Sequence, residues 1–327
     1  MSNILVTGGL GLIGHRVSKK LLDSGHSVSI VDNRTTYGVF SREVINHLIS
    51  TREAGLLDVP TYALDIADSS RSSKGWHDLF DRHAPDTVVH LASFPRQKVV
   101  NQAPTSAAAT MVEGLVALLE VVRLHSVERF VFVSSSMVYG NFSTPVQEDA
   151  ALSPIGTYGI MKLAGEQIVK DYANRFGFDY TIVRPSAVYG PTDLPGRVVS
   201  GFFDQAMSGG VLSVNGINEV LDFTYVEDIA DGICLASTVD TARNNTYNIT
   251  YGEARPIKDA AEIIVGLCKN GSILVGDPEP NFPSRNGLDI SKAREHLGYD
   301  PTYNLNHGLT EYHRWILNNP PLHQSRA

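Results

Sequence analysis

The stretch Thr7-Gly8-Gly9-Leu10-Gly11-Leu12-Ile13-Gly14 (TGGLGLIG, residues 7–14) decides the fold of this chain. It follows a short apolar strand at residues 4–6 and opens a stretch of helical spacing at residues 12–22. Glycines at GxxGxxG spacing allow a tight turn, a close backbone approach to a pyrophosphate and close packing of helix on strand. The helix N-terminus would offer bare N–H groups and a positive dipole end to the phosphates. The stretch therefore predicts the first turn of a nucleotide-binding fold.

Apolar runs and helical stretches alternate through the first half of the chain. Strands are predicted at residues 4–6, 28–31, 62–64, 87–91, 130–133 and 181–183, and helices at 12–22, 41–51, 74–83, 104–125 and 157–176. Strands separated by helices imply right-handed crossovers and a parallel sheet covered on both faces. The predicted fold class is α/β, a Rossmann doubly wound parallel sheet.

Glycine and proline become dense after about residue 190, and shorter elements follow at 220–225, 228–236, 247–249 and 257–267. This change predicts a smaller C-terminal α/β substrate lobe over the carboxyl ends of the strands, where ligands of open α/β sheets bind. We expect a nucleotide-binding Rossmann domain at residues 1–185 and a substrate-binding lobe at residues 186–327. The two are expected to interleave, and the tail after Pro320 is expected to fray.

Composition limits the class of protein. The net charge of −8 argues against a nucleic-acid or anionic-membrane partner, and no stretch approaches the roughly 20 apolar residues that a membrane span needs. The N-terminus leads into a strand without a signal-peptide pattern. The two cysteines, Cys234 and Cys268, have no metal-binding spacing. We therefore expect a cytoplasmic protein without a metal site.

Asp32 ends the second predicted strand, where a carboxylate can accept hydrogen bonds from both ribose hydroxyls of NAD. It would repel a 2′-phosphate, so NAD is predicted over NADP, although Arg34 could soften that discrimination. Asp65, after the third predicted strand, either holds the adenine edge or caps the next helix.

Tyr158 and Lys162 lie four residues apart in TYGIMK (residues 157–162), so on a helix they share a face. A free tyrosine has a pKa of about 10. A nearby ammonium and the positive nicotinamide ring of NAD both favour the phenolate. Tyr158 could then take a proton from a substrate hydroxyl while NAD accepts hydride from the same carbon. A serine of SSSMVYG (residues 134–140) would hold that oxygen; the alternative is a solvated surface pair.

Together these motifs resemble the extended short-chain dehydrogenase/reductases, in the subgroup of NAD-dependent sugar epimerases and dehydratases. The resemblance runs from about residue 3 to 318 and also includes HLA (90–92), RPSAVYGP (184–191) and DFTYVEDIA (222–230). It implies tightly held NAD, a Ser/Thr–Tyr–Lys catalytic set and a homodimer. The helices at 104–125 and 157–176 would form a four-helix bundle between the subunits.

The resemblance selects Ser135 as the catalytic serine, because the family's serine or threonine lies four residues before the tyrosine that is Tyr139 here. Ser136 remains the alternative, and Ser134 and Tyr139 are expected to be structural. The predicted catalytic set is thus Ser135, Tyr158 and Lys162. The predicted cofactor-binding residues are Gly8, Gly11, Leu12, Ile13, Gly14, Asp32, Asn33, Asp65, Ile66, Leu91, Ala92, Ser93, Tyr158, Lys162 and Pro185.

The residues after Ser135 favour one reaction. Family dehydratases carry an Asp-Glu pair there to move protons, whereas this chain has Ser136-Met137. A 4-epimerase needs no further base. The prediction is an NAD-dependent epimerase of a nucleotide-activated sugar, acting at C4 through a transient 4-keto intermediate. A dehydratase or reductase of the same family, or a non-enzymatic nucleotide-binding protein, is the alternative; Glu148 or Asp149 could replace the missing carboxylate or lie in a solvated loop.

The grip on the substrate departs from the family pattern. Ala187 stands where the family commonly has Asn, Leu221 where it often has Arg, and Met111 where it usually has Asn, whereas Arg285 matches a phosphate-binding Arg. The substrate could therefore differ from a standard UDP-sugar. Arg96 and Lys98 could hold a carboxylate or phosphate, or lie on a surface loop. The substrate-binding candidates are Ser93, Arg96, Ser136, Met137, Ala187, Arg197 and Arg285.

Overall fold

The computed structural model describes residues 1–37, 40–278 and 282–319, with the side chains of residues 69–73 left aside, so the predicted frayed tail lies outside the described residues. The strands in these ranges are β1 (Asn3–Thr7), β2 (Ser27–Val31), β3 (Thr61–Tyr62), β4 (Thr87–His90), β5 (Arg129–Val133), β6 (Asp179–Arg184), β7 (Val188–Tyr189), β8 (Val211–Asn215), β9 (Val220–Asp222), β10 (Thr224–Tyr225), β11 (Asn245–Asn248), β12 (Ala254–Pro256) and β13 (Ser272–Gly276). The helices are α1 (Gly14–Asp23), α2 (Arg42–Glu53), α3 (Ser69–His83), α4 (Gln97–Gln102), α5 (Pro104–Ala108), α6 (Gly114–Val122), α7 (Thr157–Phe176), α8 (Val198–Met207), α9 (Val226–Thr238), α10 (Ile257–Cys268), α11 (Ser291–Leu297) and α12 (Leu305–Asn318).

The central sheet has seven strands in the order β11-β6-β5-β4-β1-β2-β3, and every pairing is parallel. The order reverses between β1 and β4, which opens a crevice at the carboxyl ends of these strands. The predicted Rossmann doubly wound sheet is confirmed.

Both faces of the sheet are covered, because successive side chains of each strand point to opposite faces. In β1, Ile4 and Val6 pack with residues of α1 and α9, whereas Leu5 packs with residues of α3, α6 and α7 on the other side. Burial on both faces explains why the strands read as continuous apolar runs in the sequence.

Three two-stranded sheets lie outside the central sheet: β7 with β10, β8 with β13, and β9 with β12. Helices α8, α10 and α12 pack around a second core that includes Phe203, Leu212, Ile264 and Tyr312. The element predicted at 220–225 is two strands rather than one, because β9 and β10 pair with different partners. The predicted strand at 247–249 is β11, which joins the central sheet beside β6.

Smaller differences occur at strand ends. The third strand is Thr61–Tyr62 rather than 62–64, because its pairing to β2 covers those two residues. The fourth strand ends at His90 rather than 91, and the predicted helix at 41–51 begins at Arg42 and ends at Glu53, with Ser41 as its N-cap.

The predicted helix at 104–125 is interrupted. A π-helical turn at Ala109–Glu113 separates α5 from α6, and a Cβ on Gly114 would lie 2.5 Å from the Ile66 carbonyl oxygen. Residues Pro104–Val122, with mean hydropathy 1.5, form one helical run that is long and apolar enough to cross a membrane by length and composition. The expectation that no stretch approaches this limit was wrong. Half of this run is buried inside the structure, as in a core helix.

Candidate active site

One cavity of about 610 Å³ lies at the carboxyl edge of the central sheet. The last residues of β1, β2 and β5 and residues just after β4 and β6 line it. All the predicted cofactor-binding residues line this cavity, and Ser135 joins them. Of the substrate candidates, Ser93, Ala187 and Arg197 line it. The fold thus gathers these residues from eight separate stretches of sequence into one space.

The glycine-rich turn is shaped by contacts that side chains would block. Gly8 has φ +71°, and a Cβ there would lie 2.7 Å from the Ala92 backbone nitrogen. A Cβ on Gly14 would lie 2.0 Å from the Gly8 carbonyl oxygen. At Gly11, by contrast, that oxygen at 3.1 Å is the only neighbour within 4 Å among the described residues. The cavity side of Gly11 is therefore open to a close-lying group such as a pyrophosphate.

The N-terminus of α1 is free of a side-chain cap, because its N-cap residue is Ile13. Uncapped N–H groups and the positive helix end bind anions. This arrangement fits a dinucleotide phosphate bound between the turn and the helix.

Asp32 is held at the cavity edge by two backbone groups. Its Oδ2 accepts a hydrogen bond from the Leu10 N–H at 2.9 Å, and its Oδ1 accepts one from the Arg34 N–H at 2.7 Å. The Arg34 guanidinium donates to Glu53 Oε1 at 2.8 Å. Because Glu53 occupies Arg34, the fixed carboxylate of Asp32 dominates this end of the cavity, which favours a ribose with free hydroxyls.

Asp65 also lines the cavity, and its Oδ1 accepts a hydrogen bond from the Ala67 N–H at 2.9 Å. Helix α3 begins at Ser69, so Asp65 does not stand at the helix N-cap position. The alternative of an N-cap is wrong, and contact with the adenine edge remains a prediction.

The three serines that follow β5 have three different partners. The Ser134 hydroxyl donates to Glu166 Oε1 at 2.6 Å. Ser135 Oγ accepts from the Met137 N–H at 3.2 Å and lies beside the Tyr158 phenol. Ser136 Oγ accepts from Arg285 Nη1 at 3.1 Å. Ser135 is thus the serine whose hydroxyl adjoins the tyrosine.

Helix α7 spans Thr157–Phe176, as predicted, and brings Tyr158 and Lys162 to one face. A Cβ on Gly159 would lie 2.8 Å from the Met137 carbonyl oxygen, so this glycine lets the first turn of α7 pack against the turn after Ser135. Lys162 Nζ donates to the Val133 carbonyl oxygen at 2.7 Å and lies 6.0 Å from the centre of the Tyr158 ring. The hydroxyl, the phenol and the ammonium therefore line one wall.

Burial strongly affects both titratable groups of this wall. Burial raises the pKa of Tyr158, whereas Ser135, Arg197 and Arg285 act to lower it. Burial lowers the pKa of Lys162 to about 7, opposed by the charge of Glu166. A further positive charge in the cavity would lower the pKa of Tyr158 and so favour its phenolate.

Glu166 is a residue that the motif search missed. It lies four residues after Lys162 on α7, is fully buried and accepts from Arg184 through Nε at 2.9 Å and Nη2 at 2.7 Å. Because it also accepts from Ser134, it ties α7 to β6 and to the end of β5. The i, i+4 spacing of Lys162 and Glu166 places both on one face of α7, but nothing in the sequence shows the distant partners of Glu166.

Comparison with known proteins identifies the family of this chain. The family described as the NAD dependent epimerase/dehydratase family matches residues 4–250. The chain belongs to this family. It is 31% identical over 314 residues to a Bacillus subtilis protein described as an uncharacterized UDP-glucose epimerase, covering 94% of this chain and 95% of that protein. It is also 31% identical to the Arabidopsis thaliana UDP-glucuronate 4-epimerase 3, covering 96% of this chain and 76% of that protein.

A solved structure gives the same result. The UDP-glucuronic acid 4-epimerase from Bacillus cereus, in complex with UDP-glucuronic acid and NAD, superposes with a TM-score of 0.87 at 26% identity. The alignment covers 97% of this chain and 99% of that chain. NAD is the cofactor of this epimerase/dehydratase family, and the open Gly11, the uncapped α1 and the fixed Asp32 fit it.

The substrate side of this family member has a cluster of charges. Asp193 lines the cavity and accepts a hydrogen bond from Arg197 Nη1 at 3.1 Å. Burial raises the pKa of Asp193, and Arg197 and Arg52 oppose that shift. Arg96 lies near enough to Arg197 that their repulsion, added to burial, lowers the pKa of Arg96. The motif search missed Asp193, because it lies in the Gly- and Pro-rich loop where no motif marks it.

Four substrate candidates do not line the cavity among its described lining residues: Arg96, Ser136, Met137 and Arg285. Ser136 and Arg285 are bonded to each other, and Met137 is buried in an apolar cluster with Phe94, Met111 and Tyr158. Met137 and Tyr158 therefore share one apolar cluster. Its role in substrate binding, like that of the other three, stays a prediction.

The two downstream carboxylates are placed away from the reacting wall. Glu148 Oε1 accepts from the Asn248 N–H at 2.8 Å, and burial raises its pKa. Asp149 is exposed. Neither lines the cavity in the part of the chain that the structure describes. Within the same ranges, no three His, Cys, Asp or Glu side chains form a group that could hold a metal ion.

Proposed function

We propose that this protein is an NAD-dependent epimerase that inverts C4 of a nucleotide-activated sugar. One observation carries the proposal: Ser135, Tyr158 and Lys162 share a cavity with the glycine turn and Asp32, while apolar Met137 follows the catalytic serine. A reversible oxidation at one carbon needs the first set, and elimination needs a proton-moving carboxylate in the place of Met137. The C4 position is supported by the names of the relatives.

The chemistry follows from the wall of the cavity. Bound NAD supplies a reversible hydride acceptor for the reacting carbon. Ser135 donates a hydrogen bond to the C4 oxygen, and Tyr158 takes its proton as the carbonyl forms. After the keto-sugar rotates and presents its opposite face for the return of the hydride, Tyr158 returns the proton to the same oxygen. Proton and hydride are both restored, so the reaction leaves no net oxidation.

Lys162 adjusts this proton transfer. Because burial lowers the pKa of Lys162 to about 7, its amine can gain or lose a proton near neutral pH. Its Nζ donates to the Val133 carbonyl oxygen and would have further N–H groups to donate to a cofactor hydroxyl. A charged Lys162 favours the phenolate form of Tyr158. We assign Lys162 to positioning the cofactor and lowering the tyrosine pKa.

A nucleotide sugar carries a diphosphate, and two arginines near Tyr158 can receive it: Arg197, which lines the cavity, and Arg285, which is not among its described lining residues. The Nε atom of Arg285 is buried and has no hydrogen-bond partner among the described residues. Arg197 and Arg285 act on Tyr158 electrostatically, so both lie near the reacting end. Arg285 is the family contact that this chain retains, and Arg197 can replace part of what is absent at Ala187 and Leu221, since one charge-assisted phosphate contact contributes only a few kcal/mol, about 1.5–3.

The protein is also proposed to be a cytoplasmic homodimer without a membrane partner. Ile160 is 54% exposed on α7, and Leu124 is 60% exposed just after α6. Single exposed apolar side chains also occur on monomers, so the support for the predicted bundle of these helices between two subunits comes from the resemblance of the chain to its family.

The test is turnover of a panel of nucleotide sugars, followed by NMR of the products and by NADH absorbance. Ser135→Ala and Tyr158→Phe should each lower kcat by roughly 10²–10⁴-fold, the usual contribution of acid–base groups. Ser143→Ala, at an exposed serine, and Tyr172→Phe, at the far end of α7, are the matched controls. Near-normal rates in both active-site variants would rule out the proposal. A stable keto-sugar or stoichiometric NADH would favour a dehydratase or a reductase instead.

A further inference from the structure

The first turn of α7 lacks a cap of its own. Its N-cap residue is Gly156, with φ +85° and ψ 153°, a backbone conformation open almost only to glycine. Glycine offers no side chain to the N–H groups at the helix start, which need partners. Tyr158 is the second residue of this helix, so its backbone N–H is one of those groups.

Gln97, on α4, supplies the missing partner. Its Oε1 accepts a hydrogen bond from the Tyr158 N–H at 3.0 Å across a sequence separation of 61 residues. The Gln97 side chain is buried, and its Nε2 donates to Asn101 Oδ1 at 2.5 Å, which orients the amide. A Cβ on Gly156 would lie 2.5 Å from Gln97 Oε1. Glycine is therefore required here both for its backbone and for room.

The surroundings leave the Tyr158 N–H no other polar partner in the described structure. Phe94, Val99, Met111 and Met137 form the apolar cluster in which Tyr158 is buried. A backbone donor buried among apolar groups is stable only when an acceptor reaches it. Gln97 is that acceptor, and it stands on the same segment as Phe94 and Pro95, which line the cavity.

We infer that Gln97 is a positioning residue for catalysis, which fixes Tyr158 against Ser135 by capping α7 from the first residue of α4, next to the segment at residues 93–95 that lines the cavity. This inference rests on the proposed epimerase function. Gln97 touches the backbone of Tyr158 and no reacting atom, so it acts through the tyrosine. A movement of the loop at residues 93–97 would pass directly to the start of the catalytic helix.

The experiment compares two substitutions of similar shape in the full-length protein with NAD bound. Gln97→Met removes the acceptor and leaves the volume, whereas Gln97→Glu retains an oxygen at the same place. Gln102→Met makes the same chemical change at an exposed position of α4 and is the control. Asn101 is exposed, so water can replace its lost partner.

We expect Gln97→Met to lower kcat by roughly 10–100-fold, as a small misplacement of a catalytic group does, with a smaller change in KM. Gln97→Glu should restore most of kcat, and its negative charge should move the acid limb of the pH–kcat profile to higher pH by raising the pKa of Tyr158. Amide hydrogen exchange of a peptide covering residues 156–161 should be faster in Gln97→Met and normal in Gln97→Glu.

The inference is overturned if Gln97→Met binds NAD with wild-type kcat, or if Gln97→Glu is as slow as Gln97→Met. Should the wild-type protein epimerise no sugar, the proposed function fails, while the exchange of residues 156–161 still decides the capping contact. Should Gln97→Met fail to fold, Asn101→Ala decides instead, because it removes only the group that orients Gln97. Faster exchange in that variant supports the inference, and unchanged exchange overturns it.

Discussion

Replacing Glu166 with glutamine should strongly lower the free energy of unfolding of the protein without changing its fold. The carboxylate is fully buried and accepts hydrogen bonds from Arg184 through two nitrogens and from Ser134. Glutamine retains one acceptor oxygen, but its amide NH₂ takes the place of Oε2, which accepts from Arg184 Nη2 at 2.7 Å. Two donors would then face each other there. The guanidinium is then a buried charge without its counter-charge.

Removing one partner of a buried ion pair costs about 3–5 kcal/mol. We expect the free energy of unfolding of Glu166→Gln to fall by that amount, measured by equilibrium urea denaturation with NAD present. The control is Glu262→Gln, which breaks the exposed pair with Lys258 at 3.1 Å. Exposed pairs of this kind contribute about 0.2–1 kcal/mol.

A double substitution separates the ion pair from the packing. Glu166→Leu with Arg184→Met replaces both charges by apolar groups, which is often neutral to stabilising. The Ser134 hydroxyl then loses its acceptor, at about 1–3 kcal/mol for a buried unsatisfied group. The partly buried Glu148 carbonyl oxygen loses its Arg184 donor, and the Tyr139 hydroxyl keeps its bond to Asn248. The double variant should thus be more stable than Glu166→Gln. A loss below about 1 kcal/mol in Glu166→Gln, or a double variant less stable than the single one, would refute the reasoning.

Two further predictions concern the other residues of α7. Lys162→Met should abolish turnover yet raise the stability of the protein near pH 6, because the folded-state pKa of Lys162, about 7, lies below its unfolded value and protonation opposes folding. Its advantage should shrink as the pH rises above about 7, and a constant difference between pH 6 and pH 10 in thermal scans would contradict the shift. Ile160→Asp should convert the proposed homodimer to a monomer, because it places a charge at an exposed apolar position of α7. Size-exclusion chromatography with light scattering measures this change. A monomeric wild-type protein would contradict the proposed interface.

Much of the fold was predictable because local patterns carry it. The glycine turn, the alternation of strands and helices, and the bounds of α7 follow from spacing and apolar runs in short windows. The assignment of β11 was less accessible, since residues 245–248 look like any short strand and only the edge of β6 decides where they pair. Likewise the close approach of Gly114 to the Ile66 carbonyl oxygen, beside the π-helical turn at 109–113, is a contact between distant segments that no local pattern reports.

The site divides in the same way. Ser135, Tyr158 and Lys162 stand in recognisable motifs, and the structure brings them to one cavity. Gln97 and Glu166 have partners 61 and 32 residues away, so their role appears only when the chain is folded. Neither residue type at those positions is unusual on a helix. Long-range hydrogen bonds of this kind are the part of a site that spacing cannot predict.

The position of β11 has a consequence for how the chain is made. The central sheet obtains its seventh strand, and helix α9 on one of its faces, from residues 226–248, after the chain has left to build β7 to β10. A ribosome that has released only the first 185 residues has therefore delivered a sheet whose β6 edge is open and whose apolar face around Val131 and Val183 lacks a cover. Open edges and bare apolar faces invite association between nascent chains. The central sheet of this polypeptide can be completed only after Asn248 has been synthesised.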